Sequence, residues 1–257
     1  MPSRSLPTGS GDRWAEDYER GRPGWPPGVV GVAGRPPSAS VLDLGAGTGK
    51  LTRLLVTAFG RVVAVEPAEA MRRILVAQCP GAEALAGSAE EIPLADASVD
   101  AVFAAEAFHV FEAERGLAEI ARVLRPGGAL VLLWNVPEGP WEPSAADAEA
   151  LLLERGPNPG EVSYDPLDLD GPQYTSGRWR LALAASPVAP LQETQLPNPQ
   201  RLDRDGLAAF FASMGWLADL PDEERLPLLD EVRLLLAADE YRRQWETRVH
   251  WGRLPAR

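Results

Sequence analysis

The sequence predicts an α/β fold in which a mostly parallel, doubly wound sheet carries helices on both of its faces. Between residues 41 and 135, apolar runs of strand length alternate five times with stretches whose apolar residues recur at helical spacing. A glycine-rich turn joins the first of these strands to the first of these helices. The chain has 257 residues, 45% of them hydrophobic, which is enough for one substantial core with an elaboration.

The first strand, Val41–Leu44, runs directly into this glycine turn. The turn contains three glycines, Gly45, Gly47 and Gly49. Glycine permits positive φ angles and lets a ligand approach the main chain closely, so the turn predicts a cradle for a small molecule. Leu51 stands where a dinucleotide fingerprint has its third glycine, and Lys50 is followed by leucine, unlike the lysine of a phosphate-binding loop. A helix is predicted over Lys50–Phe59, with the Lys50 ammonium group in solvent.

The second strand is predicted over Arg61–Glu66, with an acidic residue at its carboxyl end. In a doubly wound sheet this end faces the ligand crevice, where a carboxylate can accept hydrogen bonds from both hydroxyls of a ribose. Glu66 is therefore the candidate ribose ligand, in preference to an ordinary turn residue before Pro67. A helix over Ala68–Ala77 and a weak third strand over Ala82–Ala86 follow.

The fourth strand is predicted over Val99–Ala105 and leads into Glu106. His109 follows at the same end of the sheet, and imidazole titrates in the range that a general base needs. The ring can instead form a wall of the pocket, which is the more frequent role of such a side chain. A helix over Glu112–Leu124 and a fifth strand over Ala129–Trp134 complete the alternation.

Taken together, these features resemble the class I S-adenosylmethionine-dependent methyltransferases. The stretch Val41–Thr52 resembles motif I of that family, and Gly87–Pro93 resembles its adenine-binding loop, with Ser88 in place of the usual aspartate. The step Leu-Arg-Pro-Gly-Gly at Leu124–Gly128 matches a frequent feature of the family residue for residue. Each motif alone is weak, but they occur in the order of the family between residues 41 and 135.

The resemblance implies S-adenosyl-L-methionine as the cofactor and a Rossmann-like sheet of seven strands, the last of them antiparallel beside the fifth. It puts Asp43 beneath the glycine turn, where this residue organises the turn and the methionine amino group. The Ser88 hydroxyl and the Ala89 amide would contact adenine, and Glu106 would lie near the methionine part. The implied cofactor-binding residues are Asp43, Gly45, Ala46, Gly47, Glu66, Pro67, Ser88, Ala89, Glu90 and Glu106.

The segment before the first strand is predicted to be a gate over the cofactor. Residues 1–11 are polar, small and proline-bearing, which predicts disorder and no signal peptide. Short helices are expected over Asp12–Arg20 and Gly28–Gly34. Tyr18 begins a Tyr-x-x-x-Arg-Pro-x-aromatic-Pro run that resembles the gate segment of many small-molecule methyltransferases, where the tyrosine covers the cofactor. Packing against the domain edge is an equal alternative for Tyr18 and is favoured for Trp14.

Three regions are expected around a single core. They are a gate segment at residues 1–35, a cofactor-binding Rossmann-like core at 36–135, and a substrate-side elaboration with the last two strands at 136–257. In the third region helices are expected over Ser144–Arg155, Ser176–Ala185, Leu202–Met214 and Pro221–Ala238, and strands over Val188–Leu196 and Arg243–Arg253. The last helix is expected to be interrupted or kinked at Pro227. Period-two patterning in the last strand puts His250 on its polar face.

The composition of the chain argues against several classes of binding partner. A net charge of -12 without a basic run of five or more residues argues against DNA or structured RNA. No stretch approaches the length of an apolar membrane span, and no metal site is expected. Cys79 is the only cysteine, so an intrachain disulfide is excluded, a cytoplasmic location is favoured, and a buried thiol at a helix end is the expected role.

The function that the sequence favours is methyl transfer to an O, N or C atom of a small-molecule acceptor. A sulfonium methyl group is already activated, so the protein has to hold it in line with the nucleophile and exclude water. Such positioning lowers a barrier by about 7 to 11 kcal/mol, so the lack of an evident catalytic triad is no objection. Two alternatives stay open. One is a nucleotide-binding protein without turnover, an alternative that Ser88 in place of aspartate weakly favours. The other is a nicotinamide oxidoreductase, which is disfavoured because the turn lacks the last glycine of the dinucleotide fingerprint.

Overall fold

The computed structural model describes residues 11–156, 178–188 and 190–256, with the side chains of all of these except 178–180. Residues 1–10, for which disorder is predicted, lie outside the described ranges. Residues 157–177, which include the first residues of the helix expected from Ser176, lie outside them as well.

A seven-stranded sheet forms the core of the fold. In the described part of the chain the strands are β1 (Ser40–Leu44), β2 (Arg61–Val65), β3 (Glu83–Leu85), β4 (Val99–Ala105), β5 (Leu124–Pro137), β6 (Gln192–Pro197), β7 (Gln200–Asp203), β8 (Glu240–Arg243) and β9 (Trp245–Arg253). The large sheet has the order β3-β2-β1-β4-β5-β9-β6, and β7 pairs separately with β8. Strands β1 to β5 pair in parallel, whereas β9 is antiparallel to both β5 and β6. The predicted fold class is confirmed, including the antiparallel last strand beside the fifth.

Apart from the four-residue α8, which the sequence does not predict, the α-helices begin and end close to their predicted positions. They are α1 (Gly11–Gly21), α2 (Thr52–Ala58), α3 (Glu69–Gln78), α4 (Ala113–Val123), α5 (Ala146–Arg155), α6 (Arg178–Ala185), α7 (Arg204–Ala212), α8 (Gly215–Ala218) and α9 (Asp222–Leu235). Short 3₁₀ turns occur at Pro27–Ala33, Phe108–Val110 and Pro143–Ala145. Helix α9 runs through Pro227 without interruption. Within the described ranges, no helix is long and apolar enough to cross a membrane.

The fifth strand is longer than the sequence predicts. It begins at Leu124, which pairs with Val99, and not at Ala129. The pairing of β4 with β5 shifts register between Val99 and Ala101, and Gly127 has a φ of +73°. Helix α4 therefore ends just before the Pro-Gly-Gly step, as expected. The step itself lies inside β5, where a bulge lets β4 and β5 pair on both sides of it.

The two faces of the sheet bury alternating residues of each strand. On one face Leu42 of β1 and Leu130 of β5 pack with Ile120 of α4. On the other face Val41 of β1 packs with Leu55 of α2. All of these side chains are fully buried. Burial on both faces explains the continuous apolar runs that predicted a parallel sheet.

Helices α5, α7, α8 and α9 form a helical cap with its own apolar cluster, which includes Trp141, Phe210 and Tyr241. The cap also contains the small sheet of β7 and β8, which the sequence does not predict. The prediction extended the helix back to Leu202, whereas Asp203 caps α7 by accepting a hydrogen bond from the Gly206 amide at 2.6 Å. An aspartate that accepts from the first turn marks a helix start and leaves the preceding residues free to pair as a strand.

The polar face predicted for the last strand is not solvated at His250, a residue that is only 9% exposed. Strand β9 lies between β5 and β6, and the adjacent residues Val249 and His250, which point to opposite faces, are both buried. Val249 joins the cluster on one face, while the His250 ring lies 5.7 Å from the Trp134 ring on the other. Period-two patterning describes a strand with one solvated face, and β9 has none here.

Candidate active site

The parallel strands β1, β2, β4 and β5 all end at one edge of the sheet, and the space beyond this edge is termed the crevice. Because β1 has β2 on one side and β4 on the other, the chain reverses its strand order at this point, and doubly wound sheets bind ligands at such a switch point. Three predicted site residues directly follow these strands, namely Gly45 after β1, Glu66 after β2 and Glu106 after β4. The structure thus brings these three residues to one edge of the sheet.

The glycine turn, Gly45–Gly49, has a backbone that other residues rarely adopt. Gly45 has a φ of +71°, and a Cβ atom there would lie 2.6 Å from the Cβ atom of Ala107, just beyond β4. Gly47 has a φ of +57°, and a Cβ atom there would meet nothing within 4 Å. The amides of Gly45 and Ala46 both donate to the Val65 carbonyl oxygen, at 2.9 and 3.1 Å. The turn is therefore fixed against the sheet and open on the side of Gly47.

Asp43 lies beneath the turn and is 1% exposed. Its Oδ2 atom accepts a hydrogen bond from the Thr52 hydroxyl at 2.6 Å, whereas Oδ1 is buried without a hydrogen-bond partner among the described residues. The pKa of Asp43 is raised to about 7, mainly by burial and in part by the nearby charge of Glu66, against the hydrogen bond from Thr52. An acceptor buried in this state favours a ligand that brings a donor or a positive charge.

Glu66 ties the end of β2 to the glycine turn and is 4% exposed. Its Oε2 atom accepts from the Gly47 amide and its Oε1 atom from the Ala68 amide, both at 2.8 Å. Burial raises its pKa, while these two bonds partly offset the shift. Each carboxylate oxygen has a second lone pair, so Glu66 can still accept from ligand hydroxyls. Pro67 beside it is exposed.

The loop after β3 carries the predicted adenine contacts. Ser88 is half-buried and forms a single bridge with Glu91, while Ala89 is buried. The Glu90 carboxylate accepts a hydrogen bond from the Glu112 amide at 2.8 Å, just before α4. Glu90 thus holds the loop that carries Ser88 and Ala89 against the start of α4.

Glu106 follows β4 with a φ of +52°, which is unusual for a residue other than glycine. Its Oε1 atom accepts from the Asn135 amide at 2.7 Å, so the ends of β4 and β5 are joined through this side chain. Burial raises the pKa of Glu106 to about 7, and the positive charge of Arg22 acts in the opposite direction. A strained residue at the edge of a crevice is typical of functional sites.

His109 lies on the 3₁₀ turn after β4 and is half-buried. The indole Nε1 of Trp134 donates a hydrogen bond to its Nδ1 atom at 3.3 Å. Burial lowers the pKa of His109 to about 4. Because Nδ1 is the acceptor, the proton of the neutral ring is on Nε2, which leaves no ring nitrogen ready to take another.

Tyr18 lies on α1, half-buried beside the ring of Trp14, with a centroid separation of 5.7 Å. The Arg22 guanidinium lies 5.7 Å from the centre of the Tyr18 ring. The pKa of Tyr18 is raised to about 12, mainly by burial, with the charge of Arg22 acting against the shift and the negative charges of Glu106 and Glu66 contributing to it. The phenol therefore lies within electrostatic reach of two crevice carboxylates. Trp14 is buried, in agreement with the packing role expected for it.

Glu19 and Lys50 were not predicted as residues of the site. The Lys50 side chain was expected in solvent but is only 14% exposed. Its ammonium group donates a hydrogen bond to the carbonyl oxygen of Glu19 at 2.6 Å. Two features of the sequence could have indicated these residues. Glu19 directly follows Tyr18 of the gate motif, and Lys50, the single lysine of the chain, directly follows the glycine turn. Within the described part of the chain, no group of three or more His, Cys, Asp or Glu residues could hold a metal ion.

Comparison with known proteins identifies relatives of the whole fold. A family model described as a methyltransferase domain matches residues 42–132. An uncharacterized methyltransferase of Mycobacterium tuberculosis is 40% identical over 220 residues, which cover 86% of this chain and 82% of the relative. An uncharacterized methyltransferase-like protein of Schizosaccharomyces pombe is 31% identical over 226 residues, with coverages of 84% and 82%. The solved structure of a candidate type II methyltransferase from Anaeromyxobacter dehalogenans has a TM-score of 0.65 and 25% identity, and the match covers 91% of this chain and 99% of that one.

The crevice fits S-adenosyl-L-methionine, the cofactor of this family. The unpartnered Oδ1 atom of Asp43 suits a cationic amino group, and the open side of Gly47 allows a ligand to approach the main chain. The Glu66 carboxylate retains lone pairs for ribose hydroxyls. Given this fit, the seven-stranded fold and the relatives matched over 82% of their length, the chain belongs to the class I S-adenosylmethionine-dependent methyltransferases.

Proposed function

We propose that this methyltransferase acts on a small molecule and transfers the methyl group to an O, N or C atom by in-line displacement. One observation carries the proposal: the segment from Tyr18 to Gly24 crosses the crevice. At one end Glu19 accepts from the Thr48 hydroxyl in the glycine turn at 2.5 Å. At the other end the Gly24 carbonyl oxygen accepts from Asn135 Nδ2, just before the end of β5, at 3.1 Å. A crevice crossed in this way suits a small acceptor better than a folded macromolecule.

A second amide strengthens this crossing. Asn198 Nδ2 donates to the Gly24 carbonyl oxygen at 2.8 Å and lies 3.0 Å from the Asn135 Oδ1 atom. The same Oδ1 atom accepts from the Thr247 hydroxyl of β9 at 2.5 Å. Gly24 is therefore bonded to one residue of β5 and to one that follows β6, while Thr247 of β9 holds Asn135 in place, which supports an acceptor space enclosed by protein and low in water.

S-adenosyl-L-methionine, when bound, supplies a methyl group that its sulfonium charge has already activated. We assign Asp43 to its amino group, Glu66 to the ribose, and Ser88 with the Ala89 amide to adenine. The backbone of Gly45, Ala46 and Gly47 gives the close approach, and Pro67 borders the ribose side. With the cofactor oriented by these groups, positioning can lower the barrier by about 7 to 11 kcal/mol.

Around the acceptor we assign Glu106 to the methionine side, Tyr18 to the gate and His109 to the wall of the pocket. The hydrogen bond from Trp134 to His109 Nδ1 supports a role of His109 in the pocket wall. A general base needs a ring nitrogen whose lone pair can take up a proton, whereas here Nδ1 already accepts from Trp134 and Nε2 carries the proton. We therefore do not assign His109 as a general base. The net charge of -12 further supports a partner other than a nucleic acid.

The regions of the chain divide these tasks in our proposal. Residues 36–135 hold the cofactor, whereas residues 1–35 and 136–257 shape the acceptor side. We also propose a cytoplasmic location, because Cys79, the only cysteine, is buried against the carbonyl oxygen of Gly49 as a free thiol.

Methyl transfer from labelled S-adenosylmethionine into cell extract tests the proposal. The extract is separated by size before the reaction, and label is measured in the small-molecule and macromolecular fractions, followed by mass identification of the product. We expect label in the small-molecule fraction with the wild-type protein and none above background with Asp43→Ala. Label confined to protein or nucleic acid would contradict the small acceptor, and calorimetric binding of NAD without S-adenosylmethionine or S-adenosylhomocysteine would contradict the cofactor.

A further inference from the structure

Glu19 of α1 is a point of contact between the gate helix and the glycine turn. Its carboxylate accepts from the Thr48 hydroxyl at 2.5 Å and from Arg53 Nη1 and Nη2 at 2.7 and 3.0 Å. Lys50 Nζ donates to its carbonyl oxygen at 2.6 Å and lies 3.8 Å from its carboxylate. One residue thus receives hydrogen bonds from three residues of the turn and of α2.

These contacts are not an ordinary surface ion pair. The side chains of Glu19, Lys50 and Arg53 are 22%, 14% and 33% exposed, and Thr48 as a whole is 1% exposed. Burial raises the pKa of Glu19, but the hydrogen bonds from Arg53 and Thr48 together with the positive charges of Lys50 and Arg53 outweigh it, so the pKa is lowered overall. Glu19 is therefore charged near neutral pH and makes charge-assisted bonds, which are stronger than neutral ones.

The rest of α1 is fixed to helix α7 of the helical cap. The Trp14 indole donates to the Ser213 carbonyl oxygen at 3.2 Å, and Arg22 donates to the Ser213 hydroxyl at 2.8 Å and to its carbonyl oxygen at 3.1 Å. A Cβ atom on Gly21 would lie only 2.1 Å from the Phe210 amide nitrogen, so the two backbones touch. Helix α1 is thus bonded to the cap on either side of Glu19 in sequence.

We propose that Glu19 is a positioning residue that holds the glycine turn in its cofactor-binding conformation and lets the cap influence cofactor affinity. Gly47 and Gly49, on either side of Thr48, have φ angles of +57° and +88°. Glycines can adopt many other conformations, so the turn keeps this one only if its neighbours are held. Glu19 holds Thr48, Lys50 and Arg53 from a helix that α7 fixes in turn. The inference rests on cofactor binding at the glycine turn.

The test compares S-adenosylhomocysteine binding by calorimetry in the wild type, Glu19→Gln and Glu16→Gln. The control residue Glu16 lies on the same helix and is exposed, so its variant loses the same charge elsewhere. We expect Glu19→Gln to weaken the affinity about tenfold and Glu16→Gln to leave it unchanged. Hydrogen exchange of the free proteins should be faster at the amides of residues 45–50 in Glu19→Gln only.

A second variant, Thr48→Val, keeps the shape of the side chain and removes only the hydroxyl donor. It should give faster exchange in the same segment and a smaller loss of affinity, and it stays informative if Glu19→Gln folds poorly. Wild-type affinity and exchange in both variants would overturn the proposal. A wild-type protein that fails to bind S-adenosylhomocysteine would instead contradict the cofactor assignment, so the two failures are distinguishable.

The influence of the cap is tested by Ser213→Ala alone and together with Glu19→Gln. Removing the Ser213 hydroxyl loosens Arg22 without touching the glycine turn. We expect an affinity loss of about two- to threefold in the wild-type background and no further loss in Glu19→Gln, because the path through Glu19 is then already broken. Losses that multiply independently would overturn the coupling.

Discussion

The Gly47 amide donates a hydrogen bond to Glu66 Oε2 at 2.8 Å, so the residue at the end of β2 directly holds the glycine turn after β1. The other oxygen of Glu66 accepts from the Ala68 amide at the same distance, just before α3. A single buried carboxylate therefore stabilises the backbone of two segments that face the cofactor, and its loss should affect folding and binding together.

We expect Glu66→Ala to lower the free energy of unfolding by about 2 to 4 kcal/mol, because two backbone donors lose their acceptor. Affinity for S-adenosylhomocysteine should fall by a factor of ten or more. Urea denaturation and calorimetry measure the two effects. Glu66→Gln keeps one acceptor oxygen and should lose less stability, and Glu91→Ala, at an exposed position of the next loop, is the matched control. Normal binding by folded Glu66→Ala would exclude the ribose role.

The buried acids predict a pH dependence of stability. The pKa values of Asp43 and Glu106 are both raised to about 7, in each case mainly by burial. The folded protein therefore binds more protons than the unfolded chain between about pH 4 and pH 7, so this contribution to stability is present at low pH and is lost as the pH rises through 7. The facing charges are those of Glu66 toward Asp43 and of Arg22 toward Glu106.

The unfolding free energy of the cofactor-free protein should thus decrease between pH 5.5 and pH 8 by this contribution. Asp43→Asn and Glu106→Gln should each flatten the slope, and the double variant should flatten it further. Cofactor affinity should follow the opposite trend, because a cationic ligand favours the ionised Asp43. Urea titrations at several pH values check the first statement, and an unchanged slope in Asp43→Asn would count against the raised pKa.

His109 should tolerate replacement by a neutral acceptor. In His109→Asn the amide oxygen can still accept from the Trp134 indole, so we expect a fall in turnover of less than about tenfold and an unchanged pH profile. His109→Ala loses the hydrogen bond and should also cost about 1 kcal/mol of stability. Methyl-transfer rates over pH 5.5 to 8 check this, once an acceptor is known. A fall of more than a hundredfold in His109→Asn with cofactor affinity kept would indicate a base.

Gly21 should be intolerant of any side chain. The Cβ atom of Gly21→Ala would overlap the backbone of Phe210, so α1 has to move away from α7 at a cost of about 1 to 3 kcal/mol. We expect a lower melting temperature and weaker S-adenosylhomocysteine binding. Gly31→Ala is the control, because a Cβ atom there meets nothing within 4 Å. Equal melting temperatures for the two variants would show that the contact is looser than described.

Features set by local sequence were predictable. The alternation of strands and helices, the glycine turn and the acid that ends β2 depend on patterns a few residues long, and β4 runs over Val99–Ala105 as expected. Lys50 and His250 were not predictable in this way, because their burial depends on α1 and β6, which lie far away in sequence. The small sheet of β7 and β8 joins segments that are about 40 residues apart, a pairing that no local pattern encodes.

The position of strand β9 also affects how the protein folds during its synthesis on the ribosome. It follows all other strands in the sequence, yet it lies between β5 and β6 in the sheet. Until Trp245–Arg253 has left the exit tunnel, the outer edge of β5 and the whole of β6 have no strand to pair with. The nascent chain therefore exposes an apolar edge, Ala129–Trp134, from the time β5 emerges until β9 emerges, and this edge is where chaperone binding or premature association is expected.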